Sequence, residues 1–493
     1  MSALVALALA AGSIDPAALR VVATVDARYL SYNVEMVEVT GGRFWKPYRE
    51  GPAKDATDRY SYRPPLDLAN ARLVKLATAL GPAYVRVSGT WASATYIAAR
   101  DGNTVPTGFT TVLTPTQWRR LSAFAKATRG EVVLSAPTSP GTRDGKGVWQ
   151  PQQLEALLRQ SQAVGIRVAG VAFMNEPNLI GLTGAPAGYS VADYARDYAN
   201  FARTVRRVVP SARLLGPGAV GGASLGPIAA LGGVRTLPAP DLIAASKPNV
   251  DVYTYHHYGA VSQRCATSGP LSTTIADARD PEWLARTEET LSYHAGLRDM
   301  HAKDVPIWVT ETAQAACGGA PWAATFVDTP RFVDQLGRLA RGGVSAVFHN
   351  TLAASDYALL DERDFAPRPN YWAALLWSRL IGTKVLNLPN AVPTLRIYAH
   401  CLKDASGGVA LIAINLGTTA AAIDFKGRGR VYAMAGANDD RAVILNGTLL
   451  TLGANDTLPP GLGNGVSVNG SANVAPGGVV FVALRQASAK ACR

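Results

Sequence analysis

The stretch Val171-Ala172-Phe173-Met174-Asn175-Glu176-Pro177-Asn178 decides how this chain is read. A short apolar run, bounded as a buried strand is, ends in Asn-Glu-Pro. Pro177 stops the run and stiffens the turn that follows. A carboxylic acid at the C-terminal end of a barrel strand stands on the face where barrels carry out their chemistry. The stretch Val305-Pro306-Ile307-Trp308-Val309-Thr310-Glu311-Thr312 repeats the pattern, again with a glutamate closing an apolar strand.

Working outward from these two stretches, the strand candidates are Leu30–Glu35, Tyr84–Val87, Val132–Ala136, Gly170–Met174, Arg213–Leu215, Asp251–His256, Pro306–Thr310 and Ser345–His349. Amphipathic stretches such as Leu68–Leu80, Gln152–Ala163 and Val191–Val208 lie between them. This alternation predicts an α/β fold, a (β/α)8 barrel, over residues 29–375. Beyond about Tyr371 the helical periodicity fades into short alternating runs between Gly-, Asn- and Pro-rich turns, which predicts a β-sandwich domain over 376–493. Residues 15–28 are strand-like and are expected to add to that sandwich. Residues 1–14 begin with the apolar run Ser2–Ala11 and read as the remnant of a secretory signal or a disordered start.

Composition narrows the classes. With 493 residues, 48% of them hydrophobic, the chain has ample material for a barrel and a second domain. The formal net charge of +12 favours polyanions near the surface: nucleic acid, an anionic membrane or an acidic polysaccharide. No basic run and no aromatic-interleaved nucleic-acid signature is present, which excludes the first. No apolar run of about 20 residues suits a membrane span. None of the four cysteines, Cys265, Cys317, Cys401 and Cys492, forms a CxxC pair, which argues against a zinc site. Two disulfides in an oxidising compartment are expected, with three pairings open. The protein is accordingly read as secreted or periplasmic.

Glu176 and Glu311 fall on the fourth and seventh predicted strands and face each other across the barrel mouth. Retaining glycosidases need such a pair, one group to protonate the leaving oxygen and the other to attack the anomeric carbon. On the sixth strand, Thr254-Tyr255-His256-His257-Tyr258 alternates, so Thr254, His256 and Tyr258 share one face. With that face inward, the Tyr258 hydroxyl can hold Glu311 and keep it ionised. His256 and His257 point apart and do not suit a shared ion, so no metal is expected.

At this point the chain resembles the heparanase family of β-glucuronidases, family 79 of the glycoside hydrolases. The segment Leu76 to Thr90, with Tyr84-Val85-Arg86-Val87-Ser88-Gly89-Thr90, is similar to the family's second strand. Thr310 to Pro321, with Cys317-Gly318-Gly319, is similar to its nucleophile loop. Asp356-Tyr357-Ala358-Leu359-Leu360, Pro369-Asn370-Tyr371-Trp372, Ile381 to Leu386, Arg396 to Cys401, Ile412 to Leu416, Leu458-Pro459-Pro460 and Cys492 follow in the same order. The match runs from about residue 20 to the end and reads as that of a bacterial member.

The resemblance implies a retaining endo-β-glucuronidase acting on a glycosaminoglycan such as heparan sulfate, or else an exo-enzyme trimming terminal glucuronate. A carbohydrate-binding protein with an inactive barrel is the remote alternative. It implies Glu176 as acid/base and Glu311 as nucleophile, supported by Asn175, His256 and Tyr258. Backbone N–H groups of Cys317, Gly318 and Gly319, with the Tyr357 hydroxyl, would bind the glucuronate carboxylate. Glu35 and Thr90 would bind sugar hydroxyls. No cofactor is implied, the partner is the acidic glycan, and a monomer is expected. A Cys401–Cys492 disulfide is also implied. Cys265 and Cys317 follow adjacent predicted strands, six and seven, and are expected to form the other bond.

There are departures. Glu35 stands where animal members usually have Asp, and Cys317 where they have Gly. The polar or basic residues that assist sulfate binding near Gly221 and Gln263 are missing, so Arg143, Lys146 or Arg264 are the expected replacements. The long segment excised from animal members after strand two has no counterpart, so the cleft is expected to be open without proteolytic maturation.

Overall fold

The computed structural model describes residues 13–222, 234–388, 392–437 and 441–493. Residues 1–12 of the expected signal remnant lie outside them. The chain forms two compact units: residues up to Thr24 together with Arg379–Arg493, and Val25–Ser378.

The larger unit is a closed barrel of eight strands in sequential order, all paired in parallel. Strands one to eight are Leu30–Asn33, Tyr84–Val87, Glu131–Ser135, Val168–Ala172, Arg213–Val220, Val252–Tyr258, Ile307–Ala313 and Val344–His349. All eight predicted strands are therefore present. Strands five, six and seven run further towards the barrel mouth than the apolar runs suggested, because polar and glycine residues there still pair with their neighbours. Strands one and four stop sooner. Asn33 is followed by a chain that turns into the helix Met36–Thr40, and Ala172 lies four residues before Glu176.

Inward side chains of the strands fill the barrel. Tyr84, Trp308 and Phe348 pack with ring centroids 4.7 to 5.9 Å apart, against Val133, Leu215, Val252 and Ala346. This apolar plug is the floor beneath the polar residues at the mouth. The outer helices start at sequence-legible caps. Thr114 and Gln117 form a capping box before Pro115–Ala127, Ser190 and Asp193 another before Val191–Val208, and Asn70 caps Ala71–Ala79.

The first unit is an antiparallel sheet of nine strands closed over its own apolar core, which includes Leu411, Phe425, Val474 and Val482. Val21–Thr24 forms its edge, paired with Ile381–Leu386. The boundaries expected at residues 28 and 375 fall at 24 and 378. Residues 25–28 belong with the barrel: the Asp26 amide donates to Ser345 O, and Tyr84 Oη donates to Asp26 Oδ2. Cys401–Cys492 joins two parts of the sheet unit, and Cys265–Cys317 joins the loops after barrel strands six and seven.

Candidate active site

Strand pairing brings the polar residues of the mouth together. His256 on strand six stands beside Glu311 on strand seven. Tyr255 pairs with Val309 and His256 with Glu311, so Thr310 is an extra residue on strand seven. A bulge of this kind re-aims the side chains beyond it. Trp308 points into the barrel, and strict alternation would turn Glu311 outward. The bulge at Thr310 turns it inward. Strand six keeps its alternation, so His256 and Tyr258 face the mouth as expected. His257 points the other way, to Thr287 and Thr290 under the helix Pro281–His301.

Glu311 is held on both oxygens. Tyr258 Oη donates to Oε1 at 2.5 Å, and Arg86 Nη1 donates to Oε2 at 3.0 Å. Asn350 Nδ2 lies 3.4 Å from Oε1, 3.0 Å from the Tyr258 hydroxyl and 2.9 Å from that of Tyr357. Burial pushes the acidity of Glu311 down, but His256, Arg86 and Tyr258 together outweigh it and hold the carboxyl below the usual carboxylate range.

Arg86 is the hub. Its Nη2 donates to Asn175 Oδ1 at 3.0 Å and lies 3.3 Å from His256 Nε2. On the other side of the imidazole, His256 Nδ1 faces Glu176 Oε1 at 2.9 Å. Glu176 itself sits at φ +49°, in the left-handed region that a side-chain-bearing residue enters only when its surroundings impose it. The turn Pro177–Leu182 follows it directly.

These residues open onto a cavity of about 680 Å³. Of the residues singled out in the sequence, Glu35, Thr90, Glu176, Tyr258, Glu311, Cys317 and Tyr357 line it. Asn175 and His256 stand behind the wall as supports, Asn175 through a 3.4 Å contact from Nδ2 to Thr90 Oγ1. Glu35 is only 2% exposed. Burial, then the Glu311 charge, push its pKa well up, against the pull of Arg86. Gly318 and Gly319 are not part of the cavity wall. They lie behind Cys317, packed against Trp45 and Tyr357 respectively. Cys317, Gly318 and Gly319 have φ of +60°, +82° and +82°, and among the described residues their N–H groups have no acceptor.

Two expectations about basic residues are overturned. Arg264 is spent inside the protein: it ion-pairs with Asp356, donates to the carbonyls of Lys46, Cys317 and Gly319, and stacks on Tyr48. Arg143 pairs at 3.0 Å with fully buried Asp197 and stacks on Tyr189. Neither guanidinium is available to a sulfate group. Lys146 is exposed, and it is not part of the cavity wall.

Sequence reasoning missed several residues. Arg86 was legible as a cation inside an otherwise apolar strand. Asn350 follows strand eight immediately. Trp45 and Tyr60, stacked at 4.8 Å, come from the hairpin Gly42–Trp45 and Tyr60–Arg63, and Trp91 meets them edge-on. Arg59, beside Tyr60, lines the cavity, and its buried Nε has no hydrogen-bond partner among the described residues.

Glu176, His256 and Glu311 each offer a ligand atom within 4.8 Å of the others, a spacing that a divalent cation could accept. Arg86 already places a positive charge against Glu311 and His256, and a second cation would be repelled by it. The donor set does not fit a metal.

No family model matches the chain. Solved structures that resemble it are glycoside hydrolases with this barrel-and-sandwich fold. They include a 4-O-α-L-rhamnosyl-β-D-glucuronidase from Fusarium oxysporum (TM-score 0.64, 14% identity, 96% of this chain and 99% of that one). A family 51 α-L-arabinofuranosidase from Bifidobacterium longum is similar too (TM-score 0.61, 15% identity, 95% and 98%). The sequence relatives are narrower in kind: the chain is similar to heparanase and the heparanase-like proteins. Heparanase-like protein 1 of Arabidopsis thaliana is 30% identical over 311 residues, 61% of this chain and 53% of the relative. Bovine heparanase is 29% identical over 263 residues, 49% and 46%. Baicalin-β-D-glucuronidase of Scutellaria baicalensis is 27% identical over 227 residues, 43% and 41%. The matched stretch spans about half the length of the first of these relatives. Among the described residues, no helix is long and apolar enough to cross a membrane.

Proposed function

We propose that the protein is a retaining β-glucuronidase, with Glu311 as nucleophile and Glu176 as acid/base. The observation that carries this reading is the closeness of the two carboxylates, one oxygen of each lying within 4.8 Å of the other. Retaining enzymes hold the pair about 5–5.5 Å apart, whereas inverting enzymes leave about 6.5–9.5 Å for a water. Glu311, ionised and held from both sides, attacks the anomeric carbon while Glu176 protonates the departing oxygen. Glu176 then takes a proton from the water that releases the sugar from Glu311. The unpaired N–H group of Cys317, a cavity-lining residue, supports a glucuronate carboxylate at the nucleophile loop, with the Tyr357 hydroxyl lining the same cavity; Gly318 and Gly319 stand off the wall and shape the turn. The position of Glu35 and Thr90 in the cavity lining supports a role in taking sugar hydroxyls.

Internal cleavage of a heparan sulfate-type chain and removal of a terminal glucuronate share these steps. The internal engagement of Arg143 and Arg264 favours terminal removal, because among the described residues it leaves Arg59 as the cation in the cavity wall for sulfates. Two disulfides suit a secreted or periplasmic enzyme.

Glu311→Gln should abolish turnover of an aryl β-glucuronide without loss of fold. Glu176→Ala should retain activity on substrates with good leaving groups, and azide should restore part of the rest. A glucoside should be hydrolysed on the order of a hundredfold more slowly than the matching glucuronide, since charge-assisted bonds are lost. Proton NMR of the first-formed sugar should show the β anomer. An α product, or equal rates on glucoside and glucuronide, would overturn the reading.

A further inference from the structure

We infer that the side of the cavity receiving the leaving group is apolar, so that the protein acts on β-glucuronides of alkyl and aryl alcohols in preference to glucuronate linked to a second, charged sugar. The inference rests on the reading of Glu176 as the acid. An acid must stand within hydrogen-bond reach of the oxygen that it protonates. Whatever departs with that oxygen therefore lies against the surroundings of Glu176.

Apart from His256 and Glu311, which hold the reacting groups, the described cavity wall that follows Glu176 is hydrocarbon. Glu176 opens the turn Pro177–Leu182, and Leu179 and Leu182 of this turn both line the cavity. Leu182 is 54% exposed, a leucine held out at the cavity edge. Val220 at the end of strand five, Val234, and Val261 after strand six line the cavity with them. None of these five side chains can form a hydrogen bond or ion pair. The wall is also built before substrate arrives. Asn178, fully buried, accepts from the Val220 amide at 2.9 Å and donates to the Val220 carbonyl at 3.0 Å, which clips the turn to strand five.

The polar lining has a different origin. Arg59 stands on the hairpin with Tyr60 and Trp45, and Glu35, Thr90 and Asn350 follow strands one, two and eight. A sulfated or carboxylated sugar seated on the leucines and valines would shed water with nothing to pair with. An alkyl chain or aromatic ring in the same place would bury apolar surface, and the cavity is continuous with the carboxylate pair. Apolar surface of this kind, open to solvent beside a polar site, marks a binding face.

The test is a series of methyl, butyl and hexyl β-glucuronides, whose alcohols differ in apolar area and hardly in acidity. Each fully buried methylene is worth about fourfold in binding, so kcat/KM should rise at least about tenfold from methyl to hexyl. Leu182→Gln, at an exposed position that the fold tolerates, should reduce the hexyl-to-methyl ratio severalfold. A flat series in an active wild-type enzyme would overturn the inference. So would an unchanged ratio in Leu182→Gln, or a higher kcat/KM on a glucuronyl-glucosamine disaccharide bearing sulfate than on hexyl glucuronide. Absence of turnover on every β-glucuronide, methyl included, would instead sink the reading of Glu176 and Glu311, and this inference with it.

Discussion

Arg86 Nη1 lies 3.0 Å from Glu311 Oε2, a buried ion pair that ties strand two to strand seven across the barrel mouth. The same guanidinium reaches Asn175 and His256. One cation therefore pairs with the nucleophile and braces the histidine that orients Glu176.

Arg86→Gln should move the acid limb of the kcat/KM profile to higher pH, by about a unit or more. The sign follows from the balance at Glu311: burial raises its pKa, while His256 and Arg86 lower it. Glu311 works ionised, so activity is lost as pH falls through its pKa. Removing a cation raises that pKa. Arg86→Lys keeps the charge and should leave the limb near its original position while kcat falls. A limb unmoved in Arg86→Gln would show that the ion pair does not govern the nucleophile.

Tyr258→Phe removes the 2.5 Å hydrogen bond to Glu311 and leaves the ring in place. Hydrogen bonds to charged groups contribute about 1.5–3 kcal/mol, so kcat should fall on the order of 10- to 100-fold. Asn350 still reaches Glu311 Oε1, at 3.4 Å, which keeps the loss below that of Glu311→Gln. Steady-state kinetics that match the wild type would remove Tyr258 from the site.

Gly89→Ala should raise KM and lower Tm by several degrees. Gly89 has φ +82°, and an added Cβ would fall 1.6 Å from Glu35 Oε2. The clash is with a carboxylate facing the cavity, so the side chain meant for sugar hydroxyls is the one displaced. Combining the change with Glu35→Ala should recover part of the Tm, because the space is then free and only the backbone strain remains. Purely additive losses would contradict this close packing.

The Cys265–Cys317 bond closes a segment of 52 residues, worth about 4 kcal/mol on a chain-entropy estimate. Both cysteines line the cavity. Replacing both by Ser should lower Tm and raise KM for an aryl glucuronide, with a smaller effect on kcat. Arg264 still braces the same turn through the Cys317 and Gly319 carbonyls, so the site should loosen rather than vanish. Peptide mapping without reduction should recover the 265–317 and 401–492 pairs. Free thiols in that map would refute the pairing.

Much of the barrel was legible because a buried parallel strand leaves an uninterrupted apolar run, and eight such runs alternate with capped helices. Glu176 and Glu311 were legible because each ends one of those runs. The parity of Thr254, His256 and Tyr258 was legible too, since strand six alternates without interruption. The hairpin bearing Trp45 and Tyr60 was not, because an excursion between strands one and two breaks no periodic pattern. Arg143 and Arg264 read as surface cations available to an acidic chain. Their partners, Asp197 and Asp356, lie 54 and 92 residues away, and nothing local announces such pairs.

The sequence by itself determined the order of the strands, the placing of two glutamates at the mouth, and which residues of strand six share a face. These follow from periodicities of the chain, which are local. The tertiary structure alone decided that Glu311 turns inward, that Arg86 joins it to Asn175 and His256, and that Arg143 and Arg264 are consumed internally. Alternation on strand seven would have sent Glu311 out with Val309. The extra residue at Thr310 exists only as a mismatch in pairing with strand six, where Val309 meets Tyr255 and Glu311 meets His256. A bulge is a relation between two strands, and one strand's sequence does not contain it.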